Sequence, residues 1–223
     1  MPVSRSGGSA ISAPQQIGHA RADAVVCPAQ WYGKETALKV GLISDTHIPS
    51  MGNEPPSQVI GAFEGVDLIL HAGDVYIQSC IEWLERIAPV QATTSWFAGS
   101  GEGAPRASMP IVVEVEGYTI GVVHKLEMEP LGDEVFPGAI AQDYPVGASI
   151  PAELADIFGR PVDIVVFGYT HEAMVETHQG VLFVNPGSTS MVKQSMKLGT
   201  VALLELTGQG AEARIVELAR LSE

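Results

Sequence analysis

Apolar segments of strand length recur from Leu38 to the end of the chain, and their order is the strongest constraint on the fold. The early strands alternate with helical segments, among them an amphipathic stretch at 76–87 with apolar residues at spacings of three and four. The later strands pair as hairpins, with turns at 116–117, 179–180 and 207–210. This order predicts an α/β layered domain with either one mixed sheet or two sheets packed face to face.

The composition indicates a globular chain and excludes several classes of protein. Of the 223 residues, 46% are apolar, which is enough for a sizeable core. No apolar run approaches the roughly 20 residues that a membrane-spanning helix needs, so we expect a soluble, cytoplasmic protein that does not contact membranes. The net charge of −14 disfavours broad binding to nucleic-acid backbones. A small phosphorylated substrate stays compatible with this charge, because a bound cation inverts the local field.

Two segments fall outside the regular pattern, and the two cysteines add no motif of their own. Residues 1–36 are rich in Ser, Ala, Gly and Gln and show no period, which predicts a flexible N-terminal extension before a domain at 37–223. Cys27 and Cys80 form no ligand pattern and predict free thiols, with Cys80 in the core. Segment 125–150 is rich in Pro, Gly and acids and is too long for a simple connector, so it is either a lid over a site at the strand ends or a solvated acidic loop.

Asp or His follows each of four predicted strands within a few residues. Open α/β sheets bind ligands at the carboxyl ends of their strands, and a mixed set of carboxylates and imidazoles suits Mn, Zn or Fe better than Ca or Mg. This set is Asp45, His47, Asp74, His124 and His171. Residues two apart on an extended chain point the same way, so Asp45 and His47 would both face one ion if the strand continued to His47.

Simpler roles are open for the same residues. Asp45 is also a suitable helix cap, and Asp74 is also a suitable turn residue after a glycine. For His71 we favour a hydrogen bond to neighbouring backbone over metal coordination.

The polar motifs occur in an order that resembles a known family. They are DTH at 45–47, HAGD at 71–74, AGSGE at 98–102, GVVH at 121–124, GYTH at 168–171 and NPGS at 185–188. The series resembles the calcineurin-like metallophosphoesterases, most of all their small phosphodiesterase branch, from about Lys39 to Leu218. The resemblance implies an α/β (α+β) fold, a four-layer sandwich of two mixed β-sheets flanked by helices.

The resemblance also implies two metal sites of unequal quality. The first maps to Asp45, His47, Asp74 and His171, with Asp74 bridging to a second ion. Of the remaining second-site ligands only His124 is present. Ser100 stands where Asn is expected, and Tyr169 stands where His is expected. A phenol with a pKa of about 10 is a poor ligand at neutral pH, so we expect the second ion to bind weakly or not at all.

Two functions follow from the resemblance. The first is a metal-dependent phosphodiesterase or phosphatase acting on a small phosphorylated substrate, with one or two divalent ions. Mn is our first expectation for the metal, with Zn, Fe and Ni as alternatives. The second is a non-catalytic metal-binding or protein-interaction scaffold of the same fold, for which a retromer subunit is the family precedent. A homo-oligomer is compatible with either function.

Overall fold

The computed structural model describes residues 24–26, 37–93, 109–129, 131–132, 134–193 and 195–221. The strands, labelled β1 to β13 in chain order, are Ala24–Val26, Leu38–Ile43, Leu68–His71, Val90–Ala92, Ile111–Val115, Tyr118–Val122, Ile164–Val166, Met174–His178, Val181–Asn185, Met191–Val192, Ser195–Met196, Thr200–Thr207 and Gly210–Glu217. The helices, labelled α1 to α4, are Gln58–Ala62, Gln78–Glu85, Ala139–Asp143 and Ile150–Phe158. A 3-10 turn lies at Leu218–Arg220.

The long strands form two mixed sheets. The first has six strands in the order β1-β5-β6-β7-β9-β8, and the second has five in the order β13-β12-β2-β3-β4. The neighbours β6, β7 and β9 are parallel in the first sheet, as are β2, β3 and β4 in the second. The strands that carry the polar motifs therefore lie side by side in both sheets, with their carboxyl ends at the same edge.

Alternate side chains of the two sheets meet in a central core. Val40, Leu42 and Leu70 of the five-stranded sheet belong to one buried cluster with Val122 and Val166 of the six-stranded sheet. At about 25 cal/mol per Å² of buried apolar surface, this face-to-face contact is a main stabilising contribution. The strand pattern was compatible with one mixed sheet or with two sheets packed face to face, and the structure has two.

Helices cover the outer faces of both sheets. Phe63 and Leu84, on the α1 and α2 side, pack with Ile69 against the five-stranded sheet. On the other side, Leu154 and Phe158 of α4 pack against the six-stranded sheet. The layers therefore run helix, sheet, sheet, helix, and the predicted four-layer sandwich is confirmed.

Local signals place most elements correctly. Two of the three predicted hairpin turns, at 116–117 and 179–180, have two successive residues with positive φ, as a two-residue type I′ turn requires. Helix α4 begins after Ser149, whose hydroxyl accepts a hydrogen bond from Ala152 N, and ends at Gly159 with a φ of 73°. Strand β4 is short, at Val90–Ala92, and residues 94–108 lie outside the described residues.

Some elements and residues differ from the sequence pattern or escape it. Strand β1 lies within the predicted N-terminal extension and pairs in parallel with β5, while the rest of that extension is outside the described residues. Helix α3 forms inside segment 125–150. Cys80 is buried, as predicted, and Cys27 is outside the described residues. In the part of the chain that is described, no helix has the length and apolar character to cross a membrane.

Candidate metal centre

The loops that follow β2, β3, β6 and β7 meet where the edges of the two sheets come together. Asp45 N donates to Gly73 O at 3.1 Å and His47 N donates to Asp74 O at 3.2 Å, which joins the first two loops. Gly168 N donates to His124 O at 2.9 Å and joins the other two. Backbone hydrogen bonds therefore join the four loops in two pairs, one pair from each sheet.

Four side chains from these loops converge on one point. Asp45, His47, Asp74 and His171 each offer a ligand atom, and these atoms all lie within 4.8 Å of one another. The Nε2 atoms of His47 and His171 are 3.0 Å apart, and His171 Nε2 is 3.3 Å from Asp45 Oδ1. Ligand atoms about 2.1 Å from a common ion are separated by about 3 to 4 Å. The cluster thus has the dimensions of a coordination shell.

The convergence has a different backbone origin from the one the sequence suggested. Strand β2 ends at Ile43, and Asp45 and His47 have φ values of 50° and 52°. The expectation that an extended strand would carry both side chains to one side is therefore wrong. Asp74 and His171 also have positive φ, at 56° and 58°. Asp and His adopt the left-handed region more readily than most residues, although it remains less favourable than the right-handed one.

The carboxylate of Asp45 is fully buried and surrounded by donors. Oδ1 is 3.1 Å from His124 Nε2, and Oδ2 accepts a hydrogen bond from Tyr169 N at 3.1 Å. Burial alone would raise the pKa of Asp45, but hydrogen bonds from His124, His171 and Ser44 outweigh it and hold the pKa well below its usual range. Asp45 is therefore ionised at neutral pH, as a metal ligand would need to be, and it is not the helix cap that was its alternative role.

His47 is held by Tyr76, a residue that the sequence reasoning missed. His47 Nδ1 lies 2.9 Å from the Tyr76 hydroxyl and 3.5 Å from Asp74 Oδ2. Burial lowers the pKa of His47, against the attraction of Asp74 and Asp45, and so favours the neutral ring that binds metals. Burial and the nearby Asp74 raise the pKa of Tyr76 to about 12, so it keeps its proton. Tyr76 acts as the outer partner that orients a ligating imidazole.

The chemistry of the cluster fits a divalent cation. Two ring nitrogens facing each other at 3.0 Å repel through their lone pairs unless a proton or a cation lies between them. The Nδ1 atom of His171, on the side of the ring away from the cluster, is buried and has no hydrogen-bond partner among the described residues. Two carboxylates and two imidazoles form the mixed oxygen and nitrogen set that first-row transition metals prefer.

The residues assigned to a second ion are only partly in place. His124 Nε2 lies 3.1 Å from Asp45 Oδ1 and 3.8 Å from Asp74 Oδ2. Burial lowers the pKa of His124, but its bond to Asp45 and the charges of both aspartates outweigh burial and raise that pKa. Tyr169 packs its ring edge to face against His124, with 5.6 Å between centroids. Ser100 lies outside the described residues.

Other polar residues of the motifs support the loops. His71 is buried, and its Nδ1 accepts a hydrogen bond from Gly73 N at 3.2 Å, which confirms the preference for a backbone contact. Burial lowers the pKa of His71 to about 3, so it stays neutral. Asn185 Nδ2 donates to Gly168 O at 3.0 Å, and the Ser188 hydroxyl donates to Asp45 O at 2.7 Å. The NPGS motif therefore fixes the DTH and GYTH loops.

A cavity of about 480 Å³ opens beside the cluster. Its lining residues come from the metal loops, from segment 125–150 and from the stretch after NPGS: Asp74, Glu134, Phe136, Tyr169, Thr170, His171, Glu172 and Lys193. Segment 125–150 thus lies at the site. Leu126, Met128 and Val135 of this segment are buried, so it is not simply a solvated loop. Closure of the segment as a lid stays a prediction.

The fold and the cluster together define a class of protein, an α/β sandwich with a metal centre at the carboxyl ends of its strands. The model of the calcineurin-like phosphoesterase superfamily domain matches residues 38–209. The chain therefore belongs to the calcineurin-like phosphoesterase superfamily, and the resemblance seen in its motifs is confirmed.

Two archaeal relatives are similar over most of their length. A protein named as a probable metallophosphoesterase from Methanothermobacter thermautotrophicus is 30% identical over 181 residues, which is 80% of this chain and 92% of the relative. A second probable metallophosphoesterase, from Methanocaldococcus jannaschii, is 28% identical over 174 residues, which is 75% of this chain and 79% of the relative.

Several solved structures share the fold. Vacuolar protein sorting 29 from Cryptosporidium parvum has a TM-score of 0.54 at 20% identity, covering 82% of this chain and 98% of its own. A Thermotoga maritima protein has a TM-score of 0.53 at 23% identity, covering 81% and 99%. The zinc complex of Vps29 from Entamoeba histolytica has a TM-score of 0.51 at 19% identity, covering 81% and 99%. At these identities the likeness establishes the fold alone.

Proposed function

We propose that the protein is a metal-dependent phosphodiesterase that acts on a small phosphorylated substrate. The observation that carries the proposal is the convergence of Asp45, His47, Asp74 and His171 within 4.8 Å, next to a cavity that Asp74 and His171 also line. Family membership supports phosphoester hydrolysis as the class of reaction. The preference for a diester over a monoester rests on the resemblance of the motifs to the small phosphodiesterase branch.

The four side chains would hold one divalent cation, for which we propose Mn first and Zn, Fe or Ni as alternatives. A cation of this kind lowers the pKa of water towards 7 in favourable sites and offsets charge on phosphoryl oxygens. Asp45 and Asp74 supply two negative charges that balance the ion. The hydrogen bond from Tyr169 N to Asp45 and the contact of Tyr76 with His47 keep the donors oriented.

Other residues of the cavity would position the substrate. Lys193 lines the cavity, where its ammonium can attract a phosphoryl oxygen. It pairs with Glu172 at 3.3 Å, and because the Lys193 side chain is exposed, this pair is weak enough to yield to a phosphate. Binding of the phosphate between the metal ligands and Lys193 would hold phosphorus close to the ion.

We infer that a second ion binds weakly in the wild-type protein. Changing Tyr169 to His together with Ser100 to Asn restores both expected ligand types, so Mn content after dialysis should rise from about one towards two ions per chain. Elemental analysis measures this ratio. Tyr169→Phe combined with Ser100→Asn is the matched control, because it keeps an aromatic ring but supplies no imidazole. An unchanged ratio in the restored variant would show that the second site is placed wrongly.

A scaffold function is the second candidate, and Tyr169 favours it. A two-ion site clamps both oxygens of an in-line displacement, and a phenol at one ligand position weakens that clamp. Turnover of bis(p-nitrophenyl) phosphate by Mn-loaded protein separates the two functions. Metal-dependent release of nitrophenolate is the result expected for the enzyme. Folded, metal-loaded protein that is inert towards this ester and a broad panel of other phosphoesters would instead support the scaffold.

A further inference from the structure

We propose that the cavity selects phosphodiesters whose phosphate carries a nucleoside, and that Phe136 and Tyr169 form the wall against which the planar base packs. The inference rests on the proposed function, because it names the substrate class of the same site. Phe136 comes from segment 125–150, so this segment would determine specificity in addition to bordering the metal centre.

Two aromatic residues that line the cavity are only partly covered by protein. Phe136 and Tyr169 each keep 38% of their surface exposed, and both line the cavity with Asp74 and His171. Aromatic rings at the edge of a ligand cavity pack well against other planar groups, through offset or edge-to-face contacts. A substrate ring would therefore find an apolar surface beside the phosphate.

Phe136 is a partly exposed residue of a loop that neighbouring contacts hold in place. Its neighbour Val135 is buried. Phe136 O accepts a hydrogen bond from Ala139 N at 3.0 Å, which closes the turn into helix α3. Gly138 N donates to Glu176 Oε1 of β8 at 2.7 Å and ties this turn to the six-stranded sheet. Fixed backbone on both sides thus presents the Phe136 ring to the cavity, and little ordering is left to occur on binding.

Tyr169 is fixed at the metal side of the cavity. Its backbone nitrogen donates to the Asp45 carboxylate, and its φ is 71°. Its ring contacts His124, and Lys125 Nζ lies 5.1 Å from the ring centroid, a cation–π distance. The ring is therefore one side chain away from the metal ligands. This position suits a substituent attached directly to the reacting phosphate.

The charges of the cavity favour one phosphate over a chain of phosphates. Glu172 is paired with Lys193, and Glu134 is an exposed carboxylate on the cavity wall. A carboxylate repels a further phosphate, but it accepts hydrogen bonds from the hydroxyl and amino groups of a nucleoside. A volume of about 480 Å³ is within the range of about 300–1,000 Å³ for small-molecule sites. A nucleoside monophosphate ester meets all of these conditions.

Two substrates with the same leaving group test the wall. The p-nitrophenyl ester of thymidine 5′-monophosphate and methyl p-nitrophenyl phosphate both release nitrophenolate and differ only in the group that stays on phosphorus. We expect wild-type kcat/KM to favour the thymidine ester, and Phe136→Ala to lower this preference about tenfold, the usual scale for loss of one stacking ring. Phe136→Tyr should keep the preference. Val146→Ala, at a fully exposed position of the same segment outside the cavity lining, should leave it unchanged.

The outcomes separate this inference from the proposed function. The inference is overturned if the wild type shows no preference for the thymidine ester, or if wild type and Phe136→Ala show the same preference. In either case, turnover of the two esters would still support the proposed function. Phe136→Leu keeps apolar bulk for folding and should lose the preference as Phe136→Ala does. If neither ester is hydrolysed, calorimetric titration of the Mn-loaded protein with thymidine 5′-monophosphate and methyl phosphate decides. Tighter nucleotide binding that is lost in Phe136→Ala supports the wall, and equal affinities reject it.

Discussion

Replacing Asp74 with asparagine is expected to lower turnover of bis(p-nitrophenyl) phosphate by at least about 1,000-fold, because a loss of about 4 kcal/mol in stabilisation of the transition state corresponds to that factor. The Asp74 carboxylate is 3.5 Å from His47 Nδ1 and 3.8 Å from His124 Nε2, and it lines the cavity. The amide keeps the shape of the side chain but removes a negative charge that balances the cation. Mn affinity should fall together with activity.

The measurement pairs initial rates with metal content for each variant. Asp156→Asn is the matched control, because Asp156 is an exposed residue of α4 on the far side of the six-stranded sheet. This control should keep both activity and metal. Wild-type turnover by the Asp74→Asn protein would show that the reaction does not take place at this candidate metal centre.

The second large effect is expected from Gly73→Ala, which should destabilise the fold by about 3 kcal/mol or more. Gly73 has a φ of 103°, where L residues are rarely found, and a Cβ built on it would lie 2.5 Å from His124 Cβ. Backbone strain and steric overlap each cost about 1–3 kcal/mol. For a protein of this size, the melting temperature should fall by roughly 6–12 °C, and Mn affinity should fall because His124 and the Asp74 loop must move apart.

A second glycine separates backbone strain from the steric contact. Gly65 also has a positive φ, at 74°, but a Cβ there meets nothing within 4 Å. Gly65→Ala should therefore cost only about 1 kcal/mol and leave metal binding intact. Thermal unfolding in EDTA measures both variants without a contribution from bound metal. Equal destabilisation by the two substitutions would mean that the contact with His124 is unimportant.

The sequence predicted where the candidate ligands converge because that position follows from topology. Asp45, Asp74 and His171 each follow an apolar run, and the carboxyl ends of neighbouring parallel strands meet at one edge. The local backbone was predicted wrongly, because the alternation of an extended strand was applied to residues beyond Ile43, where β2 has ended. The left-handed conformations of Asp45 and His47 arise from the loop contacts with Gly73 and Asp74, which are tertiary.

The residues around the metal centre could not be predicted in the same way. Tyr76 is the first residue of the amphipathic stretch at 76–87, in which an aromatic residue is more often part of the core. Phe136 reaches the cavity because Glu176, 38 residues after Gly138, anchors its loop. No local pattern encodes a pairing at that separation. Ordered motifs can therefore locate a candidate metal centre, while the lining of the neighbouring cavity depends on how the intervening segment packs.

The metal centre also spans the junction between the two halves of the sandwich. Asp45, His47 and Asp74 follow strands of the five-stranded sheet, whereas His124 and His171 follow strands of the six-stranded sheet. Contacts of Asp45 with both histidines already cross this junction. An ion bound at this position would crosslink the two sheets, so that separating the sheets would require breaking its coordination bonds. The force needed to separate the two sheets would then increase with metal binding, and separation of the sheets would release the metal.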